Sequence, residues 1–404
     1  MHFHVLGVGS IGCLIAHHLR RTLPASHSVS LIHKNILDQV RFLEKGSVTI
    51  ERGGKTETSS GYSHEVYNEQ SRLPPTAQKI QIDVVEAAKP STGPIQSLFV
   101  SLKAHHTLPA VQKLAPRLTP DSTVVLLQNG MGVYEKLLAE VFRNPAQRPH
   151  FILSSNTHGA FASNFYHVVH AGVGSIEFGI APDPQGRDFE ACWYDGSTPT
   201  KKKRLQLTDI STPGDTKHER YKSLHTTVAA ILLLETLCTS WKPFTDIQLS
   251  MRRKLAVNAV INPLTALLDC RNGDLFKSEQ ARELLIQICN EISEVYRTQM
   301  VAETQAWLKD LQSHGVDTTN TATPSFPESL TSEALQAEVL RAAAVTRRNI
   351  SSTLQDIRRG RHTEINFLNG YLVDIGREHG VNTPVNSALT NLVRLKGSLP
   401  LNLV

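Results

Sequence analysis

The sequence predicts an α/β domain with a doubly wound parallel sheet, followed by an all-helical domain. The chain has 404 residues, more than one hydrophobic core ordinarily organises, which favours two domains. Its first half alternates apolar, strand-like runs with helical segments, as a parallel sheet with crossover helices requires. From about residue 246 onward the apolar residues follow helical spacing. We therefore expect the domains at residues 1–245 and 246–404.

Short, distinct runs predict the elements of the first domain. HFHVLGV is typical of a strand, SIGCLIAHHLRRTL of a helix and SVSLIHK of a second strand. SVTIERGG and KIQIDVVEAA indicate a hairpin or short strands. Further strands are expected within IQSLFVSLKAHHT, DSTVVLLQNGMG, HFILSSNTHGAFAS and HVVHAGVGSIEFG, and residues 224–240 return to a helical pattern.

The segment of about residues 181–223 differs in composition from the chain on either side. It is rich in Pro, Gly, Asp, Thr and Lys and lacks periodicity, so we expect a surface insertion. The second domain is expected to contain helices at residues 250–268, 279–307, 331–345, 346–359, 363–379 and 384–396.

The composition argues against several classes of protein. The formal net charge is +5, and the densest basic run, KKKR at 201–204, is better explained as a solvated loop than as a nucleic-acid site. The five cysteines are scattered without metal-ligand spacing, so no metal site is expected, and an intracellular, reducing compartment is favoured. We find neither a targeting segment nor an apolar run long enough for a membrane span, and expect a cytoplasmic protein without a membrane partner.

A dinucleotide-binding fingerprint follows the first predicted strand directly and opens the first helix. The run GVGSIG has the form G-x-G-x-x-G, which is typical of a Rossmann-type domain. Its glycines permit a tight turn, close approach of a diphosphate and close packing of helix on strand, and the diphosphate would lie at the helix N-terminus. The predicted cofactor-binding residues are Gly7, Val8, Gly9, Ser10, Ile11 and Gly12.

The end of the second strand indicates which cofactor is preferred. NAD-binding proteins usually carry an acidic residue there for the ribose hydroxyl. Here the positions are His33 and Lys34, so a 2′-phosphate would meet a cation, and NADP(H) is favoured over NAD(H). The alternative is that Lys34 is an ordinary exposed loop lysine.

One helix of the second domain carries an unusual polar line. Lys254, Asn258 and Asn262 are spaced four residues apart and therefore share one face of an otherwise apolar helix. A lysine so placed could donate a proton to an alkoxide formed by hydride transfer, and the amides could hold the substrate. Pro263 should kink this helix and free a carbonyl for a polar cleft. Equally compatible are a lysine that reaches solvent and amides that cap a broken helix.

A second polar cluster lies in the segment SSTLQDIRRGRHTEINFLNG. Ser352 and Glu364 would meet the lysine face if their helices pack against it. Taken alone, these residues are better explained as a helix cap, a turn and a solvated face.

These stretches together resemble the ketopantoate reductase (2-dehydropantoate 2-reductase) family. The similar segments are LGVGSIG, VSLKAHHT, LLQNGMG, NTHGAF, VHAGVGSIEFG, KLAVNAVINPLTALLDCRNGDL and SSTLQDIRRGRHTEINFLNGYLVDIGREHGVNTPVN. They cover most of the chain in the correct order, apart from about 181–223 and about 308–340, which resemble insertions.

The resemblance implies a function and assigns roles to residues. It implies reduction of 2-dehydropantoate to (R)-pantoate by NADPH, a step toward pantothenate and coenzyme A. It places the general acid on Lys254 and the family's helix-borne glutamate on Glu364, a second catalytic residue that either orients Lys254 or contacts the substrate. Asn258, Asn262 and Ser352 become substrate-binding residues, and Lys103 and Asn129 become cofactor-binding residues.

Two other functions stay open at this point. One is reduction of a different short 2-keto acid on the same fold, and the other is non-catalytic sensing of NADP(H). In each case the expected partner is a small molecule and not a nucleic acid. A homodimer through the helical domain is one further arrangement that the sequence permits.

Overall fold

The computed structural model describes residues 1–67, 92–194, 204–319 and 321–399. The chain divides into two compact units, and each is described by itself. The first unit contains Met1–Gln128 and Val133–Gln248, and the second, which we call the helical unit, contains Asn129–Gly132 and Leu249–Val404. Most of the predicted KIQIDVVEAA and KKKR segments lies outside the described residues.

The first unit is built on a mixed, largely parallel sheet of eight strands in the order β12-β11-β8-β7-β6-β1-β2-β5. Its central strands are buried along their whole length, because a parallel sheet is covered on both faces. One pairing, between β8 and β11, is antiparallel. The strands of the unit are β1 (His2–Leu6), β2 (Ser28–His33), β3 (Ser47–Arg52), β4 (Lys55–Ser60), β5 (Ser63–Val66), β6 (Ser97–Val100), β7 (Thr123–Leu126), β8 (His150–Asn156), β9 (Gly159–Asn164), β10 (His167–Gly172), β11 (Ile176–Ile180) and β12 (Thr239–Trp241).

A second sheet of four strands has the order β4-β3-β10-β9. β3, which lies in the predicted strand SVTIERGG, pairs antiparallel with β4 through the turn Gly53–Gly54, where both glycines have positive φ. The sequence did not indicate β4, and the other run expected to form a hairpin or a short strand, KIQIDVVEAA, lies outside the described residues. The first helix packs against β3 and β10. The helices of the first unit are α1 (Ser10–Thr22), α2 (Ile36–Lys45), α3 (Ala104–Leu114), α4 (Val133–Glu140), α5 (Ala191–Tyr194), α6 (Leu207–Ile210) and α7 (His218–Leu232).

The segment predicted as a surface insertion contributes to the core. Phe189, Ile210 and Tyr221 are almost fully buried in the main apolar cluster of the first unit. The Tyr221 hydroxyl donates to Asp183 Oδ2 at 2.7 Å, and Arg187 pairs with Asp215 at 2.6 Å. The interpretation as a purely surface segment was therefore wrong for these residues, because a few apolar anchors within a polar run show no periodicity.

The predicted helix at 224–240 is also shorter than expected. α7 ends at Leu232, and Thr239–Trp241 form β12, which pairs in parallel with β11. Cys238 has a φ of 47°, a left-handed conformation that ends a helical turn and redirects the chain into the strand.

The described part of the helical unit is all-α, as predicted. Its helices are α8 (Phe244–Leu268, which begins in the first unit), α9 (Glu279–Ser313), α10 (Ser332–Val345), α11 (Ser352–Arg358), α12 (Asn369–Glu378) and α13 (Pro384–Ser398). The helix predicted at 346–359 begins only at Ser352, because the Ser351 hydroxyl accepts the Leu354 N–H at 3.2 Å and caps it. The helix predicted at 363–379 is divided into a 3₁₀ turn, Ile365–Phe367, and α12.

α8 runs from Phe244 to Leu268 as one helix with Pro263 inside it. Proline lacks the N–H that would pair with the carbonyl four residues earlier, at Ala259. That carbonyl accepts instead from Asn369 Nδ2 at 2.8 Å, and Asn369 Nδ2 also lies 2.9 Å from Asn386 Oδ1. Both asparagines are fully buried. The freed carbonyl therefore serves helix packing and does not line a cleft, contrary to the sequence-based expectation.

Across the described residues, the helices lack the combination of length and apolar composition that crossing a membrane requires. The longest, α9, has 35 residues, but charged and amide side chains recur along it.

Candidate active site

The fingerprint glycines form the turn between β1 and α1. Gly7 has a φ of 95°, and a Cβ there would lie 2.8 Å from the Leu102 backbone nitrogen. A Cβ on Gly12 would lie 1.9 Å from the Gly7 carbonyl oxygen, so any side chain would push the helix off the strand. The Ser101 hydroxyl donates to the same Gly7 oxygen at 2.5 Å. The sequence analysis missed this hydrogen bond, and its one signal in the sequence is a serine directly after β6.

The turn is suited to a diphosphate. Gly9 is the N-cap of α1, and a Cβ built on it would have nothing within 4 Å. The first turn of α1 contains no acidic residue and its cap makes no side-chain hydrogen bond, so its backbone N–H groups face outward. Open space beside an uncapped helix N-terminus fits the diphosphate of a dinucleotide. Val8, Ser10 and Ile11 complete this loop.

His33 and Lys34 occupy opposite environments at the end of β2. Lys34 is exposed, whereas His33 is buried against Phe42, His64 and Tyr166. Burial is the main cause, and His64 a smaller one, that lowers the pKa of His33 from 6.5 to about 3. The His33 ring is therefore neutral near pH 7 and gives no charge to a phosphate. Only Lys34 of the predicted pair presents a cation.

Lys103 follows β6 and is the N-cap residue of α3. β6 is the parallel neighbour of β1, and the Leu102 nitrogen borders Gly7. Lys103 therefore lies at the same carboxyl edge of the sheet as the glycine turn, where open α/β sheets bind ligands.

In the helical unit, Lys254 is held by an asparagine from a distant part of the sequence. Its Nζ donates to Asn129 Oδ1 at 2.9 Å. Desolvation lowers the pKa of Lys254 from 10.5 to about 8, and the nearby Glu364 carboxylate opposes this shift. Glu364 is buried, with 5% of its surface exposed. A lysine with this pKa holds a proton near neutral pH and releases it readily, which a general acid requires.

Three further predicted residues keep their polar groups uncommitted. Within the part of the chain that the structure describes, the Asn258 and Asn262 carboxamides and the Ser352 hydroxyl make no hydrogen bond that would occupy them. Asn258 and Asn262 continue the Lys254 face of α8, and Ser352 is the first residue of α11. By contrast, the neighbouring Ser351 is engaged, because its oxygen lies 2.8 Å from Thr265 Oγ1 on α8.

One cluster in the described residues has the side chains of a metal site. His2, His4 and Glu65 bring their ligand atoms within 4.8 Å of one another. However, the two imidazole rings stack almost in parallel, 4.3 Å apart at 11°, so their lone pairs do not converge. Glu65 also accepts from Arg117 at 2.7 Å. The cluster is better described as a buried ion pair than as a metal centre.

Comparison with known proteins places the chain in a family. The sequence pattern of ketopantoate reductase PanE/ApbA matches residues 3–183, and that of its C-terminal domain matches residues 246–397. The fold and these two matches define an oxidoreductase of the pyridine-nucleotide-dependent kind. The chain belongs to the ketopantoate reductase family.

Individual relatives agree with this assignment. The chain is 26% identical over 407 residues to the probable 2-dehydropantoate 2-reductase of Schizosaccharomyces pombe, covering 99% of this chain and 97% of the relative. It is 30% identical over 301 residues to 2-dehydropantoate 2-reductase of Escherichia coli O157:H7, covering 74% of each. A solved D-mandelate dehydrogenase in complex with NADH and anilino(oxo)acetate shares the fold, with a TM-score of 0.64, 18% identity and 98% of both chains covered.

Proposed function

We propose that this protein reduces 2-dehydropantoate to (R)-pantoate with NADPH. The observation that carries the proposal is the Lys254 ammonium, held at 2.9 Å by Asn129 on a helix face whose two asparagines are uncommitted. An ammonium, two free carboxamides and a free serine hydroxyl suit a small substrate with a ketone, a carboxylate and a hydroxyl. Membership of the ketopantoate reductase family and the named relatives support the same substrate.

The preference for NADPH is part of the proposal and depends on Lys34. No carboxylate follows β2 directly, and the exposed Lys34 would attract a 2′-phosphate. The next acidic residue along the sequence, Asp38, lies in the first turn of α2, and its carboxylate is 3.5 Å from Arg41, which offsets its charge. Lysine acts here as a point charge, without the two-pronged geometry of arginine.

The residues of the chain account for the proton half of the reaction. When bound, the reduced nicotinamide supplies a hydride to the carbonyl carbon of the substrate. Lys254 donates a hydrogen bond to the carbonyl oxygen and then gives it a proton, which yields the alcohol. Neutral Lys254 afterwards recovers its proton from solvent. Glu364 favours the charged ammonium before the reaction, and Asn258, Asn262 and Ser352 fix the carboxylate and hydroxyl.

A direct assay tests this proposal. Purified protein is mixed with NADPH and 2-dehydropantoate, pyruvate or 2-oxoisovalerate, and loss of the nicotinamide absorbance is followed. Rapid oxidation with 2-dehydropantoate alone, abolished in Lys254→Met, is the expected result. Oxidation of NADPH with another keto acid instead would change the assigned substrate but support the same reaction. Tight NADPH binding without turnover of any keto acid would contradict catalysis and favour the sensing function.

A further inference from the structure

The segment Asn129–Gly132 belongs to the helical unit, although in the chain it directly follows the first-unit residue Gln128. Its backbone is bound there, since the Met131 N–H donates to the Phe367 carbonyl at 3.0 Å. The Met131 side chain is buried in the apolar core of the helical unit. Asn129, whose oxygen contacts Lys254, therefore stands at the start of a firmly seated loop.

Two glycines make this seating possible. Gly130 has a φ of 83°, and a Cβ there would lie 2.3 Å from the Phe367 carbonyl oxygen. Gly132 has a φ of 91°, and a Cβ there would lie 2.9 Å from the Tyr371 ring. Each position thus excludes a side chain twice over, by backbone conformation and by lack of space. The obstacle at Gly130 is backbone, whereas the obstacle at Gly132 is a side chain.

The attachment of this loop to Phe367 also connects Asn129 and Glu364, the two residues that act on Lys254. Phe367 closes the 3₁₀ turn that starts at Glu364, and its N–H donates to the Glu364 carbonyl at 2.8 Å. The path therefore runs from Glu364 through one short turn to the Phe367 carbonyl, and from there to Met131 and Asn129. Asn129 and Glu364 are far apart in sequence but are connected through these two backbone hydrogen bonds.

We propose that Gly130 and Gly132 are positioning residues, which hold the Asn129 carboxamide against Lys254 and thereby fix the direction of its ammonium. This proposal rests on the proposed function only in that Lys254 is taken as the proton donor. The two glycines are assigned no contact with substrate or cofactor. They act through the hydrogen bond that Asn129 accepts.

Displacing Asn129 from Lys254 should change the pKa of the lysine. A carbonyl oxygen that accepts from an ammonium stabilises the charged form. Without Asn129, the desolvated Lys254 would lose its proton more easily, and its pKa would fall below the present value of about 8. The ammonium would also pivot away from the direction needed for proton transfer.

The main test is Gly130→Ala. The reactivity of the Lys254 amine towards an acylating reagent is measured against pH by peptide mass spectrometry, together with kcat and KM. We expect the midpoint of labelling to move to lower pH and kcat to fall by about 10²-fold with little change in KM, as for a misplaced catalytic group. A labelling midpoint that stays or rises would overturn the proposal.

Gly46→Ala is the matched control. Gly46 has a φ of 67°, but a Cβ there would have nothing within 4 Å. The variant therefore carries the strain of a left-handed alanine without the collision, at a site remote in sequence from Lys254. We expect it to leave kcat and the Lys254 midpoint unchanged. Equal effects of the two variants on kcat and midpoint would overturn the proposal.

Gly132→Ala serves if Gly130→Ala fails to fold. We expect this variant to lose less kcat than Gly130→Ala. Adding Tyr371→Leu, which removes the obstructing ring, should restore part of the lost kcat, and no restoration would contradict the positioning role of Gly132. The labelling arm separates the two proposals. If wild-type protein does not reduce 2-dehydropantoate but the midpoint still moves in the glycine variants, the substrate assignment fails and the positioning role stands.

Discussion

At the scale of single residues, the lysine on α8 combines two opposing influences. Burial lowers its pKa to about 8, while the Glu364 carboxylate favours its charged form. Sequence spacing identified the residue, but only the structure shows that its ammonium is bound by Asn129 at 2.9 Å. The asparagine predicted as a cofactor contact is thus already engaged with the predicted general acid.

The first prediction concerns the pH dependence of reduction. If protonated Lys254 is the acid, kcat/KM for keto-acid reduction should be constant below pH 8 and fall about tenfold per unit above it, because the ammonium is lost near that pKa. Initial rates across a pH series, at constant ionic strength, measure this. Lys254→Met should lose on the order of 10²–10⁴ in rate. A wild-type profile that stays flat well above pH 8 would contradict the assignment.

The second prediction concerns the cofactor. Lys34→Glu should raise KM for NADPH by roughly 10–100-fold, because a charge-assisted contact worth about 1.5–3 kcal/mol is replaced by repulsion, while KM for NADH changes little. Steady-state kinetics with both cofactors measure this. Lys55→Glu, at an exposed lysine of β4, makes the same change in net charge and should affect neither cofactor. Equal changes for NADPH and NADH would exclude Lys34 as the phosphate contact.

At the scale of elements, α8 depends on a substitute for a missing backbone hydrogen bond. The Ala259 carbonyl, orphaned by Pro263, is satisfied by Asn369 on α12. Asn386 donates onward to Glu291 on α9, whose carboxylate also accepts the Val385 and Asn386 N–H groups at the start of α13. Four helices of the unit are thereby joined through one buried polar network.

The third prediction follows from that network. Asn369→Leu should destabilise the protein by about 1–3 kcal/mol, because it strands a buried carbonyl and a buried amide. The free energy of unfolding from urea titration, followed by circular dichroism, measures this. Pro263→Ala restores the missing N–H, so the double variant should be more stable than the sum of the single effects predicts. Strict additivity would show that the Ala259 carbonyl is not the relevant partner.

At the scale of the whole molecule, neutral histidines that are buried or half-buried couple folding of the first unit to pH. Burial is the main cause that lowers the pKa of His18 and His150 from 6.5 to about 4 and that of His33 to about 3. Below pH 6.5 the unfolded chain therefore binds more protons than the native chain at these positions. Stability contributed by the neutral rings is present above this pH and is lost as the pH falls towards 4.

The fourth prediction is a fall in the urea midpoint of the first unit between pH 7 and pH 5. Tryptophan fluorescence in a Trp307→Phe variant reports unfolding of the first unit alone, because the remaining tryptophans, Trp193 and Trp241, both belong to that unit. Replacing His150 by Phe should reduce the pH dependence of the midpoint, even if it changes stability at pH 7. A midpoint independent of pH over this range would exclude the histidines as the cause.

Much of the fold, and the local setting of several candidate site residues, could be predicted because the signals were local. The glycine turn depends on backbone conformation, and the polar face of α8 depends on helical spacing, so both are written in short stretches of sequence. The predicted roles of all the site residues, Lys254 and Glu364 included, stay predictions until variants are measured.

The features that sequence could not supply depend on distant contacts. His33 lies in a strand whose last five residues are all buried, so alternation gives no clue that its ring points inward. In the sequence, Asn369 looks like a polar residue that interrupts a helix. Only the structure shows that it donates to the Ala259 carbonyl, which Pro263 leaves without a backbone partner. Likewise, Gly130 looks like an ordinary loop glycine until the Phe367 carbonyl is found within reach.

The order of strands in the large sheet has a consequence for biosynthesis. β1 leaves the ribosome before the other described strands of this sheet, yet it lies inside the sheet, between β2 and β6. At about 5–20 residues per second, the stretch from Leu6 to Ser97 takes on the order of ten seconds to be made, and until then one edge of β1 is unpaired. Such an edge is a template for aggregation. A chaperone that covers it during translation should therefore raise the yield of folded chain without altering the stability of the finished protein.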